Sequence, residues 1–131
     1  MPLFIFFISF FSSNEPQINP TWIELNHSDQ LEKILSSTSD KAVVIFKHST
    51  RCGISAAVKK SLMKQWSYNK EEFKFYYLDL LNQRKISDQI EQQLEVQHES
   101  PQIFVVKDGK VLYHASHGNI SIERVCEALK K

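Results

Sequence analysis

The stretch Ala42–Ser55, AVVIFKHSTRCGIS, decides the fold. Its first five residues form an unbroken apolar run, which is typical of a strand buried on both faces of a sheet. Beyond Cys52, apolar residues recur at three- and four-residue steps, which predicts an amphipathic helix. The predicted apolar stripe consists of Ile54, Ala57, Val58, Leu62 and Trp66. Cys52 therefore lies at a junction between a buried strand and a helix.

The position of Cys52 indicates a reactive thiol. A sulfur at the start of a helix faces the positive end of the helix dipole and several unpaired backbone N–H groups. These favour the thiolate, which is the nucleophile in disulfide exchange, and Arg51 adds a positive charge beside it. Ser55 occupies the position where a dithiol oxidoreductase carries its second cysteine. The pattern predicts a one-cysteine exchange site without an internal dithiol cycle.

The second cysteine, Cys126, lies on the apolar stripe of the last predicted helix. This position favours a small core residue over a resolving thiol, which would need to lie within about 7 Å of Cys52 between Cα atoms. Two cysteines do not make a disulfide framework. The five histidines are scattered, so we expect no metal site.

Composition favours one compact domain. The chain has 131 residues, of which 42% are hydrophobic and 24% charged, with a net charge of +1. This is enough chain to bury a core. The basic residues are spread along the chain, which argues against binding to nucleic acid or to an acidic membrane surface. We expect a monomer.

Residues 1–20 form an N-terminal extension to the predicted domain, residues 21–131. Leu3–Phe11 is almost wholly apolar, but it is too short for an ordinary transmembrane helix. No Lys or Arg precedes Lys33, so the basic start of a signal peptide is missing. Three interpretations stay open: an extension from a wrong translation start, a signal or anchor, and a structured part of the core.

The other elements follow from hydrophobic periodicity and turn residues. The predicted strands are Trp22–Leu25, Lys41–Lys47, Phe73–Leu78, Gln102–Lys107 and Lys110–Ala115. Apart from the Cys52 helix, the helical stripes are Leu31, Ile34 and Leu35, with Ser28 as cap; Ile86, Ile90 and Leu94; and Ile122, Val125, Cys126 and Leu129. Asp108–Gly109 predicts a hairpin turn. The order β-α-β-α-β-α-β-β-α predicts an α/β thioredoxin-like fold, a central mixed β-sheet flanked by helices.

Three separated motifs carry a family resemblance. They are FKHSTRC with ISAA at residues 46–52 and 54–57, HESPQ at 98–102, and SHG at 116–118. Residues 21–131 thereby resemble the monothiol bacilliredoxins, the YtxJ-type proteins of the bacillithiol system. The resemblance implies removal of bacillithiol from protein mixed disulfides in the bacterial cytoplasm. It implies bacillithiol as co-substrate, no bound cofactor, and bacillithiolated client proteins and a low-molecular-weight thiol as partners. A true export signal in residues 1–20 would change that compartment.

The resemblance also implies roles for residues around the cysteine. Pro101 is expected to be cis and to face Cys52, and the backbone at Ser100 is expected to pair with an extended substrate segment. Because bacillithiol carries malate carboxylates, Arg51 and His48 are candidate contacts. Thr50 and Gly53 complete the predicted substrate-binding set; the family usually has proline where Gly53 stands.

Three further polar residues, Lys47, His114 and His117, are expected to have no specific role in the site. Lys47 is expected to be at least partly solvated, and His114 and His117 are expected at the surface. Ser55 has two interpretations: an ordinary first-turn helix residue, or a hydroxyl near the sulfur that helps to hold the thiolate.

Two rival functions stay open. One is a glutaredoxin of the Cys-Gly-Phe-Ser type that carries an iron–sulfur cluster with glutathione, because Cys52–Ser55 differs from that motif at one residue. The glycines and acidic residue that grip glutathione in that class are absent; His117-Gly118-Asn119 stands there. Cluster absorbance after anaerobic purification would favour this rival. The other is a non-catalytic interaction module, which an ordinary alkylation rate at Cys52 would favour.

Overall fold

The computed structural model describes residues 22–69 and 71–131, so the extension at residues 1–20 lies outside the described part. The strands are β1 (Trp22–Glu24), β2 (Val43–His48), β3 (Lys74–Asp79), β4 (Gln102–Lys107) and β5 (Lys110–Ser116). The helices are α1 (Ser28–Ser36), α2 (Gly53–Gln65), α3 (Arg84–Leu94) and α4 (Ile122–Leu129), with a 3₁₀ turn at His117–Asn119. The predicted element order is confirmed.

The five strands form one mixed sheet in the order β1-β3-β2-β4-β5. Strands β1 and β2 run parallel to β3, whereas β4 runs antiparallel to β2, and β5 runs antiparallel to β4. Strand β2 is central, and its carboxyl end leads directly to Cys52. The antiparallel strand β4 starts at that same end, so the segment around Pro101 meets the Cys52 loop there.

Helices cover both faces of the sheet. On one face, α2 and α4 pack on an aromatic core in which the rings of Trp22 and Phe75 stack with centroids 3.9 Å apart. On the other face, α1 and α3 pack on aliphatic residues. The buried residues of that second face are Leu25, Leu31, Ile34, Ile45, Leu78, Ile86, Ile90, Leu94, Phe104 and Val106. Both faces of β2 are thus buried, as its apolar run predicts.

The β4–β5 hairpin turns through Asp108 and Gly109, both at positive φ (53° and 74°). Two successive positive φ values match the two-residue hairpin turn that the Asp-Gly pair predicts. A Cβ atom at Gly109 would fall 2.6 Å from the carbonyl oxygen of Leu35. Glycine is therefore needed at position 109 for both its conformation and the close approach of the end of α1.

Helix α1 begins differently from the prediction. His27, not Ser28, caps it, and the N–H of His27 donates to Oε1 of Gln30, 2.9 Å away. Ser28 is the first helical residue, and its hydroxyl donates to Oε1 of Gln89 in α3. The side chain that forms a hydrogen bond at the start of α1 is thus that of Gln30, whereas the sequence predicted Ser28. The Ser28 hydroxyl instead connects α1 to α3.

The first turn of α2 buries a different residue from the one predicted, whereas Leu62 and Trp66 are buried as predicted. Ser55 is fully buried, whereas Ile54 is 55% exposed and Ala57 is also exposed. Successive helical residues are about 100° apart, so turning Ser55 towards the sheet turns Ile54 towards solvent.

Across the described residues, none of the helices has the length and apolar character that crossing a bilayer requires.

Candidate active site around Cys52

Cys52 is the N-cap residue of α2 and is partly exposed. Its N–H donates to the carbonyl of Ser49 at 3.2 Å, and its carbonyl accepts the N–H of Ala56 at 3.0 Å. The cap conformation is extended, with φ −107° and ψ 121°. The sulfur is therefore at the end of the helix where unpaired N–H groups and the positive end of the dipole lie. This is the junction that the sequence predicted.

Ser55 lies inward of the cysteine and bridges α2 to β2. Its Oγ atom is 2.7 Å from Nδ1 of His48 and accepts the backbone N–H of Ser49 at 3.0 Å. Within residues 22–69 and 71–131, no hydrogen bond joins Ser55 to the Cys52 sulfur. The serine holds the loop on the strand that carries it.

His48 is buried beneath the cysteine loop, at 3% exposure. Burial lowers the pKa of His48, and the nearby Lys59 ammonium lowers it further, while Asp79 opposes the shift. The net shift favours the neutral ring, and a hydrogen bond with Ser55 acts against it. The sequence made His48 a candidate contact for a ligand carboxylate; in the structure, its Nδ1 atom has Ser55 as a partner.

The remaining loop residues face solvent. Thr50, Arg51 and Gly53 are exposed, and the Arg51 N–H donates to the Ser49 hydroxyl at 3.4 Å. Gly53, Ile54, Ser55 and Ala56 add no negative charge in the first turn of α2. Arg51 is thus the exposed cation adjoining Cys52 in the chain. A Cβ atom at Gly53 would meet no heavy atom within 4 Å.

The Ser100–Pro101 peptide bond is cis, as predicted. Pro101 is buried, and its carbonyl accepts the N–H of His117 at 2.9 Å, which fixes the segment against the turn after β5. The Ser100 hydroxyl is buried, and neither it nor the Ser100 backbone has a hydrogen-bond partner among the described residues. The backbone before Pro101 is thus free to pair with an added strand.

Two large apolar side chains are exposed near this end of the sheet. They are Ile54, which follows the cysteine loop, and Leu81 (39% exposed), which follows β3. Because β2 and β3 are parallel, the segments after them lie at the same edge of the sheet. Periodicity alone assigned Ile54 to the core and therefore missed this surface. The polar residue next to Ile54, Ser55, is the signal that could have indicated this exposed surface, because burial of Ser55 directs Ile54 to solvent.

The prediction that Lys47 is solvated is wrong: its side chain is 0% exposed. Its Nζ atom is 2.7 Å from Nδ1 of His98, in the segment before Pro101. Burial lowers the pKa of Lys47 to about 8, although Glu91 and Asp88 favour the charged form. The sequence signal was the strand alternation itself, because Lys47 follows Ile45 on the buried face of β2.

The outcomes differ for the remaining predicted positions, His114, His117 and Cys126. His114 and His117 are exposed, as predicted. Cys126 is a free, partly exposed thiol on α4, whereas its neighbours Val125, Ala128 and Leu129 are the buried ones, so Cys126 is not the core residue that its stripe predicted. In the part of the chain that the structure describes, no three His, Cys, Asp or Glu side chains are grouped to hold a metal ion.

The fold is shared with solved structures of thioredoxin-fold proteins. One solved structure, of a thioredoxin-fold protein described as a candidate oxidoreductase, is 30% identical with a TM-score of 0.68; the match covers 87% of this chain and 98% of that one. Thioredoxins of Trypanosoma brucei brucei and Malassezia sympodialis are each 19% identical, with TM-scores of 0.63. Those two matches cover 86% and 88% of this chain, and 90% and 95% of theirs, and show the fold. The protein has a thioredoxin-like fold and a thiol redox role.

The family assignment is more specific than the fold. Residues 23–125 match the sequence profile of the family "Monothiol bacilliredoxin BrxC". The match spans the Cys52 loop, the Pro101 segment and the first half of α4. The chain belongs to the monothiol bacilliredoxin family.

Proposed function

We propose that this protein removes bacillithiol from protein mixed disulfides by exchange at Cys52. The observation that carries the proposal is the combination at the start of α2: a partly exposed Cys52 as N-cap, with a buried serine, not a second thiol, at position 55. The family match supports the identity of the low-molecular-weight thiol. The proposed compartment is the bacterial cytoplasm, where clients and bacillithiol meet.

The exchange has two steps. The Cys52 thiolate attacks the bacillithiol sulfur, a bond forms between those two sulfurs, and the client sulfur leaves with the electron pair and takes up a proton. A low-molecular-weight thiolate then attacks the bacillithiol sulfur of this adduct, the bond to Cys52 breaks, and Cys52 leaves as the thiolate while bacillithiol departs as a disulfide with the attacking thiol. Ser55 cannot perform this second attack, because a hydroxyl does not form a disulfide.

The surroundings of Cys52 suit both partners of the exchange. The exposed Arg51 guanidinium can pair with the malate carboxylates of bacillithiol. The free backbone at Ser100 and the exposed Ile54 side chain can contact an extended client segment around its modified cysteine. The client is thus held by backbone pairing and apolar contact, which is compatible with many client sequences.

The test is intact mass after incubation with a bacillithiolated protein and, in parallel, with the same protein glutathionylated. We expect one bacillithiol on Cys52, release of the client thiol and little transfer from the glutathionylated form. Cys52→Ser should form no adduct, and Cys126→Ser should behave as wild type, since Cys126 lies on a different helix, α4.

The alternative outcomes separate the rival functions. Equal transfer from both substrates would remove the preference for bacillithiol but keep thiol exchange. No adduct from either substrate, together with an alkylation rate at Cys52 equal to that of a small free thiol, would overturn the proposal in favour of a binding module. Cluster absorbance in anaerobically purified protein, lost in Cys52→Ser, would favour the iron–sulfur carrier.

A further inference from the structure

The segment Gln97–Glu99, just before Pro101, is held from inside the protein by three side chains. Gln102 Nε2 donates to the Gln97 carbonyl at 2.9 Å, and Gln102 Oε1 accepts the Glu99 N–H at 3.3 Å. Glu91 of α3 accepts the N–H of His98 at 2.6 Å. The third contact joins the His98 ring to Lys47 of β2. This segment is therefore fixed to two strands and one helix.

The Lys47–His98 contact is the most unusual of the three. Lys47 is fully buried, and a lysine is almost never buried without a partner. An ammonium carries only donors, so His98 Nδ1 accepts, and the ring is neutral. Burial and the adjacent lysine lower the pKa of His98, which agrees with that assignment. Among the described residues, His98 is the only hydrogen-bond partner of the Lys47 ammonium.

Other groups around the pair do not replace this bond. Glu91 and Asp88 of α3 act on Lys47 through their charge, and Arg84 of α3 acts on His98. The Phe104 ring of β4 lies under the ammonium, 5.9 Å from ring centroid to Nζ. The Ser87 hydroxyl is 3.4 Å from His98 Nδ1, a longer contact than that of the lysine.

The pair links the two segments that meet at the active site. Lys47 lies on the strand that runs into the Cys52 loop, and it is paired in register with Gln102, the other anchor of the segment. His98 lies two residues before Ser100, whose backbone is free to pair with a client. From this geometry we propose that Lys47 and His98 are positioning residues that set the Ser100 backbone for strand pairing with the client. Neither touches the reacting sulfurs.

This inference rests on thiol exchange at Cys52 but not on bacillithiol as the thiol removed. The first probe is an extended single-cysteine peptide joined by a disulfide to thionitrobenzoate. Cys52 attacks the peptide sulfur, and thionitrobenzoate leaves as a coloured thiolate, so half-saturation and limiting rate are both measured in a single turnover. The second probe is dithiobis(nitrobenzoate), which has no peptide backbone to pair.

The variants differ only in the hydrogen-bond acceptor. His98→Leu removes it, whereas His98→Asn keeps an acceptor oxygen near the place of Nδ1. We expect His98→Leu to raise the half-saturating peptide concentration about tenfold, as loss of one buried hydrogen bond predicts, with limiting rate and dithiobis(nitrobenzoate) rate within about twofold. His98→Asn should stay within about threefold of wild type on all three measures.

Lys47→Met removes the same bond from the other side. If the two residues act through one contact, the half-saturating peptide concentration of the double variant Lys47→Met/His98→Leu should not exceed that of the single variant with the larger increase. An unchanged half-saturation in His98→Leu, additive effects in the double variant, or an equal loss towards both probes would each overturn the proposal. Wild type that reacts with both probes but not with bacillithiolated protein would overturn only the proposed function.

Discussion

The Ser55 hydroxyl lies 2.7 Å from Nδ1 of His48, and both residues are buried. In this protein, the residue three positions after Cys52 is thus hydrogen-bonded to the strand that precedes the cysteine loop. The loop between them, from Ser49 to Gly53, is closed by this contact and by the Ser49 N–H bond to the same oxygen. Ser55 therefore stabilises the conformation of the loop that carries Cys52.

Replacement of Ser55 by alanine should lower the free energy of unfolding by about 1–3 kcal/mol, because the His48 ring and the Ser49 N–H are left buried without this partner. Urea unfolding measures the loss. Ser61→Ala, exposed on the same helix, is the control and should stay within about 0.5 kcal/mol of wild type. Unchanged stability of Ser55→Ala together with slower alkylation of Cys52 would instead place the hydroxyl's effect on the sulfur.

Replacement of Gly53 by proline should stabilise the protein by about 0.5–1 kcal/mol. Gly53 is the first helical residue, where proline is favoured, and its Cβ position is open. The extended conformation of Cys52 is also the one that a residue before proline adopts. A higher urea midpoint with an unchanged slope is the expected result; destabilisation would show that the Gly53 N–H has a partner that proline removes.

Lys47 should make stability depend on alkaline pH. Its folded-state pKa of about 8 is below the ordinary 10.5, so between these values the unfolded chain binds a proton that the folded protein has released. The free energy of unfolding therefore rises with pH, by about 2 kcal/mol between about pH 7.5 and about pH 9.5. The raised pKa of Tyr77, about 12, acts in the opposite direction only above about pH 10.

The matched comparison for this pH dependence is Lys47→Met, which fills a similar volume without a titrating group. The difference in free energy of unfolding between wild type and Lys47→Met should change across that pH interval. A difference that stays constant would show that Lys47 keeps its proton throughout.

Replacement of Ile54 by serine should weaken client binding without weakening the fold, because this side chain is 55% exposed beside Cys52. Loss of its apolar contact, worth about 1–2 kcal/mol, should raise the half-saturating concentration of a peptide disulfide about fivefold to thirtyfold. Ala57→Ser, exposed one turn further along α2, is the control. A fall in thermal stability of Ile54→Ser equal to its loss of binding would place Ile54 in the core instead.

Much of the fold could be predicted from the sequence because its local signals agree. The apolar run of β2, the stripe of α3 and the Asp108–Gly109 turn each specify their own element without help from the rest of the chain. The position of Cys52 at the start of α2 followed from the same junction. The cis bond at Pro101 needed the fold as well, since proline alone rarely adopts it.

The interior of the site could not be predicted in this way. Lys47, His48 and Ser55 are polar residues whose burial depends on partners distant in sequence or on the opposite face of a strand. His98 is separated from Lys47 by two helices and a strand, so no local pattern relates them. Hydrophobic periodicity ranks such residues as exposed and thus assigned Ile54, instead of Ser55, to the inside.

The hairpin tip at Asp108–Gly109 lies at the end of β4 that is opposite Pro101. Since any side chain at position 109 would strike the Leu35 carbonyl, substitutions there should act on α1 and the folding yield, far from the sulfur chemistry. In a cell, such variants would lower the abundance of the protein while each surviving molecule kept its normal specific activity. Variants of the Cys52 loop would do the reverse, so measuring protein level beside turnover separates the two kinds of damage.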